Sequence, residues 1–114
     1  MRIMDKSNFK GKLIYVDIDE TICFYNSLEE RKSYYNAIPI HKNIKKINNL
    51  FEEGATIVYY TARGSVFTER IDEYITLTEQ QLKSWGAKYH KLSVGEKPPY
   101  DLIICDKSKR IEEI

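Results

Sequence analysis

Asp17 and Asp19 stand one residue apart at the end of the apolar run Leu13-Ile14-Tyr15-Val16, and Thr21 follows two residues later. A short continuous apolar run reads as a buried strand, most simply a parallel one. Side chains alternate along a strand, so the two carboxylates point the same way if the chain stays extended. Like charges crowded at a strand end repel, and a hard divalent cation bound by oxygen offsets that repulsion. Open α/β sheets also bind their ligands outside the carboxyl ends of their strands. The bland competitor is a loop that leads into a helix, with an acid as its cap.

Two more apolar runs end in residues able to do chemistry. Tyr59-Tyr60-Thr61-Ala62-Arg63 ends in a hydroxyl with an arginine two residues on, and Leu102-Ile103-Ile104-Cys105-Asp106 ends in an acid. Lys97 lies in the loop before the second of these, beside two prolines that stiffen the backbone. Taken singly, Thr61 is an ordinary strand-end residue and Lys97 a solvated loop lysine, with Lys91 and Lys107 as rivals. Asp101 begins its strand and belongs to the opposite sheet edge. His41 starts a helix and His90 falls in a strand, and neither reads as catalytic. Phe24, Tyr25, Tyr34 and Tyr35 either stack on a ligand or pack their segment against the body, and packing is the simpler reading.

The elements that would hold these residues follow from periodicity and breakers. A chain of 114 residues is one domain, here 1–114. Residues 1–10 lack a period and read as a loose leader. A strand is expected over 12–17, and a flap over 23–38 with a helical turn near 27–32. A helix follows over 41–53, with Ile44, Ile47, Leu50 and Phe51 on one face and Gly54 as its stop. A second strand spans 55–60, and residues 63–74 read as a loop entering a helix. Thr76 and Glu79 have capping-box spacing ahead of a helix over 77–85 that Gly86 ends. Strands over 87–92 and 101–105 and a short charged tail complete the chain. Strands alternating with helices predict βαβ units and a parallel sheet.

Composition removes several classes. The net charge is +1 with both signs interspersed, which argues against a nucleic-acid binder. No apolar stretch approaches membrane-spanning length and no signal-peptide segment follows Met1, so no membrane span is expected and a cytoplasmic location is. Cys23 and Cys105 are too few for a disulfide framework and read as reduced thiols, Cys105 as a small core residue.

Taken in order, these motifs resemble those of the haloacid dehalogenase (HAD) superfamily. Asp17-Ile18-Asp19-Glu20-Thr21 is similar to its DxDx[TV] motif, Thr61 to its second, Lys97 to its third and Asp106 to its fourth. The resemblance spans residues 12–106. It implies a small doubly wound, Rossmann-like parallel sheet with strand order 3-2-1-4, helices on both faces and no cap domain. It also implies that Asp17, Thr61 and Asp106 converge at one sheet edge. Phosphoryl transfer needs a nucleophile, charge neutralisation and a proton shuttle. On the resemblance, Asp17 is the nucleophile and Asp19 the general acid and base. Mg²⁺ is bound by Asp17, the Asp19 backbone carbonyl and Asp106. Thr61, Ala62 and Lys97 hold the phosphate, with Lys107 an alternative to Lys97, and Thr21 supports the nucleophile loop. Arg63 reads as a fork for phosphate or a substrate carboxylate. Cys105 departs from the pattern, since relatives usually carry an acid or glycine there, and this bears on metal affinity.

Ile38-Pro39-Ile40, Tyr60-Thr61-Ala62-Arg63-Gly64, Gln81-Leu82-x-x-Trp85-Gly86-x-Lys88-Tyr89-His90 and Lys97-Pro98-x-Tyr100-Asp101-Leu102 resemble a narrower group. These are short bacterial HAD proteins found with capsular polysaccharide and lipooligosaccharide biosynthesis genes. That implies a phosphate monoester on a glycan precursor, either a sugar phosphate or a phosphorylated group on a nucleotide sugar. An uncapped site implies a bulky substrate or a homo-oligomer that closes it. The competing readings are a phosphoprotein phosphatase, suggested by Asp17-Ile18-Asp19-Glu20-Thr21-Ile22, and a catalytically weak HAD pseudoenzyme or binding module. A receiver domain fits poorly, because Tyr60-Thr61 stands where its phospho-accepting acid belongs.

Overall fold

The run that leads to the acid pair forms strand β1 (Leu13–Asp17) of the computed structural model, which describes residues 9–65, 68–95 and 102–104. Ile14 and Val16 are fully buried, as the continuous apolar run requires. After a tight loop, β2 (Cys23–Phe24) pairs antiparallel with β3 (Ile38–Pro39), Cys23 opposite Pro39 and Phe24 opposite Ile38. This two-rung ladder pins the base of the segment expected as a flap. Between its strands lie two short 3₁₀ turns, Glu30–Lys32 and Tyr34–Asn36. The Ser33 side chain caps the second turn by accepting from the Tyr35 N–H at 3.3 Å.

Helix α1 (His41–Glu52) is followed by β4 (Thr56–Thr61), and α2 (Ile71–Ser84) by β5 (Lys91–Val94). The last described strand is β6 (Leu102–Ile104). The four longer strands form one open parallel sheet in the order β5-β4-β1-β6. The register sets Asp17 level with Tyr60, and Tyr59 level with Leu92. The carboxyl ends of β1 and β4 therefore lie side by side.

Both described helices cover the same face of this sheet. Ile44, Ile47 and Leu50 of α1 and Leu82 of α2 join Ile14, Val16, Ile57 and Tyr59 in one cluster. Each such side chain, fully buried, contributes about 1.5–3 kcal/mol. The opposite face carries Leu13, Tyr15, Val58 and Tyr60. The expectation of helices on both faces is thus corrected for the described residues. The reason is topological. The path β1→β4→β5 steps in one direction across the sheet, and right-handed crossovers then put both helices on one side.

Three local expectations also change. Helix α2 begins six residues before 77, so much of 63–74 is helical and the Thr76–Glu79 pair lies inside the helix rather than at its cap. Tyr74, buried on the same side of the helix as Leu77 and Thr78, supplies the apolar side of the added turns. The strand expected over 87–92 forms at Lys91–Val94, because Tyr89 and Ala87 pack on the core from the connecting loop. Phe9, within the expected leader, is a core residue, and the Gly11 N–H donates to the Gly54 carbonyl at 3.0 Å. Asp101, Cys105 and the tail over 107–114 lie outside the described residues, as do residues 1–8 of the leader.

Candidate active site

The loop after β1 is built to turn sharply around Asp19. The Thr21 and Ile22 N–H groups both donate to the Ile18 carbonyl, at 3.2 and 3.0 Å, and the Glu20 N–H donates to the Cys23 carbonyl at 3.0 Å. Glu20 completes the turn with φ = 68°, the left-handed region that a non-glycine residue enters at a cost. Ile18 and Ile22 are fully buried and anchor the loop from below. Thr21 is buried as well, and its carbonyl accepts from the Asn43 Nδ2 of α1 at 2.9 Å. Asn43 thus ties the Thr21 backbone to α1. Its hydroxyl has no hydrogen-bond partner among the described residues.

Asp19 is surrounded by donors. Its Oδ1 accepts from Tyr25 Oη at 2.7 Å, from Arg63 Nη2 at 2.8 Å and from Cys23 Sγ at 3.5 Å. Its Oδ2 accepts from Arg63 Nε at 3.1 Å and from Thr61 Oγ1 at 3.2 Å. Burial alone would push this carboxyl up, but the Arg63 hydrogen bonds and charge, aided by Tyr25 and Cys23, hold it below the usual carboxylate range. The same environment drives Tyr25 and Cys23 the other way. Burial and the Asp19 charge raise the Tyr25 phenol, and they push the Cys23 thiol up to about 12. Both remain protonated donors at neutral pH, and Cys23 is an inert thiol rather than a nucleophile.

Arg63 is the hub. Only 1% of the residue is exposed. Beyond its fork to Asp19, its Nη1 donates to Thr78 Oγ1 at 3.1 Å and to Gln81 Oε1 at 2.6 Å. Its guanidinium lies 5.0 Å from the centre of the Tyr34 ring. Gln81 Nε2 donates in turn to the Tyr34 carbonyl at 2.8 Å, and Tyr35 Oη donates to Glu73 at 3.2 Å. The segment between β2 and β3 is therefore tied to α2 at two points. Burial and the Asp19 fork turn the planar donor set of Arg63 inward in this structure.

The structure brings Asp17, Asp19, Thr61, Ala62 and Arg63 to the carboxyl ends of two adjacent strands. Asp17 is half-buried in the last position of β1. Thr61 ends β4, where its hydroxyl donates to Asp19 and accepts from the Arg63 N–H at 3.2 Å. Its carbonyl accepts from the Gly95 N–H at 2.7 Å, which ties the loop after β5 to the same edge. Ala62 is exposed between two buried residues. Lys97, Lys107 and Asp106 lie outside the described residues. His90 is structural: its Nδ1 accepts from the Ile57 N–H at 3.1 Å and its ring stacks on Phe51.

Among the described residues no group of three histidine, cysteine or acidic side chains gathers to hold a metal. The donors present still suit a hard cation. Both Asp19 carboxylate oxygens are occupied by N–H, O–H or S–H donors, so the group this residue has left to offer is its backbone carbonyl. Reasoning from sequence named Tyr25 and Tyr34 as packing residues but missed the polar members of the second layer, Thr78 and Gln81. Its signal was the polar pair Thr78 and Gln81, three residues apart on a helix and so on one face, beside buried Leu77 and Leu82.

No helix among the described residues is long and apolar enough to cross a membrane. No protein-family model matches the chain, and no curated protein matches it. Among solved structures the chain is similar to a structural-genomics target from Vibrio cholerae, with a TM-score of 0.66 and 23% sequence identity over 90% of this chain and 85% of that one. That likeness establishes a shared α/β fold with an open parallel sheet.

Proposed function

We propose that the protein is a Mg²⁺-dependent phosphatase that hydrolyses a phosphate monoester through an aspartyl phosphate. The observation that carries this reading is the meeting of Asp19 with Thr61 at 3.2 Å, at the carboxyl ends of adjacent parallel strands and two residues past Asp17. The sheet order, with β1 between β4 and β6, supports it, as does the four-motif resemblance. In this mechanism an Asp17 carboxylate oxygen attacks phosphorus and the ester P–O bond breaks. Protonated Asp19 gives its proton to the leaving oxygen and becomes a carboxylate. Water then gives a proton to Asp19 and attacks the acyl phosphate, which releases inorganic phosphate and restores Asp17. Asp17, the Asp19 carbonyl and Asp106 would hold Mg²⁺, which supplies charge neutralisation at the phosphoryl oxygens. Lys97 and the Ala62 backbone N–H would hold those oxygens as well. The resemblance points to a capsule or surface-polysaccharide precursor as substrate.

A second reading has one observation in its favour. Asp19, the would-be proton shuttle, is held as a carboxylate by five donors, which suits a catalytically weak relative that binds phosphate esters without rapid turnover. The test is phosphate release from a panel of monoesters, including sugar phosphates, phosphorylated nucleotide sugars and phosphopeptides, with and without Mg²⁺ and beside Asp17→Asn. Release that needs both Mg²⁺ and Asp17 supports the phosphatase. Release from phosphopeptides alone moves the substrate to proteins. Binding without release supports the weak relative.

A further inference from the structure

Between the β2–β3 segment and the start of α2 lies a cleft of about 320 Å³. Its walls are Arg31, Lys32, Tyr34 and Tyr35 on one side and Arg70 and Tyr74 on the other. That volume falls within the range of small-molecule sites. We infer that this cleft binds the non-reacting part of the substrate, and that this part is a nucleotide: a flat base with a diphosphate. The inference rests on the proposed phosphatase for what the bound group is attached to, and names its substrate class.

Three features carry it. First, the cleft adjoins the acid pair. Tyr34 lines it while its ring covers the Arg63 guanidinium, whose Nη2 reaches Asp19 at 2.8 Å. Arg31 lines it while it pairs with Glu20, the residue after Asp19. Tyr34 and Arg63 thus lie between the cleft and Asp19.

Second, the lining combines rings with fixed cations. Tyr34 and Tyr74 meet edge to face at 5.3 Å, and Tyr35 keeps 60% of its surface open. Aromatic faces of this kind accept any base by stacking. Third, the arginines are preorganised. Arg70 lies over Tyr74 and forks Glu73 through Nε and Nη2, while its Nη1 carries two further donors. Arg31 is held over Tyr25. These ion pairs are exposed and individually weak, so a diphosphate exchanges with the carboxylates at small cost.

The test is titration calorimetry of the full chain with ADP, UDP and inorganic pyrophosphate, without divalent cation. ADP and UDP should bind with similar affinity, and pyrophosphate about tenfold more weakly, because it lacks the stacked ring. Tyr35→Ala and Arg70→Gln should each weaken ADP binding by about tenfold while circular dichroism stays unchanged, since both side chains are exposed. Absence of nucleotide binding, pyrophosphate binding as tight as ADP, or ADP binding that ignores both cleft variants overturns the inference. None of these readouts needs turnover. Phosphate release with no cleft-dependent nucleotide binding therefore sinks the subsite and spares the phosphatase, and the reverse result sinks the phosphatase alone.

Discussion

Arg63 meets Asp19 as a two-pronged fork, Nη2 to Oδ1 at 2.8 Å and Nε to Oδ2 at 3.1 Å, with the arginine side chain fully shielded from solvent. Such a pair is costly to break from one side, because the survivor keeps its charge without its partner. Arg63→Met should lower the unfolding free energy by about 3 kcal/mol. Asp19→Asn combined with Arg63→Met should cost less than the sum of the two single changes. Urea unfolding of the four proteins of this cycle measures the coupling, and strict additivity would contradict it.

The fork also sets an acid limit on stability. The folded carboxyl of Asp19 binds its proton more weakly than the unfolded one, whose ordinary value is 3.8. Its contribution is therefore fully present above that value and is lost as pH falls through the lowered folded value. Thermal melts from pH 7 down to pH 2 should show wild type losing stability more steeply below pH 4 than Asp19→Asn does. Parallel curves would rule this out.

A carboxylate held ionised is a ready base and a poor acid. Phosphate esters of acidic alcohols, whose leaving oxygen needs little protonation, should be cleaved faster than alkyl esters. Asp19→Asn should slow alkyl esters by about 10²–10⁴-fold and aryl esters by less. Steady-state rates over a leaving-group series, with and without the substitution, measure this, and equal losses across the series would contradict it.

Gly64 follows Arg63 with φ = 80°, and a Cβ there would sit 2.7 Å from the Tyr74 ring and 3.0 Å from Ile71 Cδ1. Gly64→Ala should cost about 2 kcal/mol or more from the backbone and overpacking together. Gly86, also at positive φ but with open space around its would-be Cβ, is the control, and Gly86→Ala should cost clearly less. Denaturant midpoints of the two variants decide it.

Much of this arrangement was legible because it rests on local pattern. The run before Asp17 is apolar because β1 is buried, and Ile44, Ile47 and Leu50 recur at helical spacing because α1 packs with one side. Gly54 and Gly86 end their helices at positive φ, as stop signals do. The start of α2 was not legible: Arg70 at its N-cap makes no side-chain cap, and its first turns bury Tyr74 and Thr78 rather than a plain apolar stripe. The inward turn of Arg63 was hidden for a related reason. Two residues from a strand end, an arginine reads as solvent-facing, and only Thr78, Gln81 and the Tyr34 ring, brought from far along the chain, make its burial tolerable.

The two-rung ladder of β2 and β3 has a consequence for how such a chain can diversify. Because Cys23 opposite Pro39 and Phe24 opposite Ile38 fix both ends of the intervening loop, its length is uncoupled from the sheet beneath. Doubling that loop adds only about 0.6 kcal/mol of closure entropy. The loop can therefore lengthen between this ladder and its ties to Gln81 and Glu73, while the strands that carry Asp17 and Asp19 stay where they are.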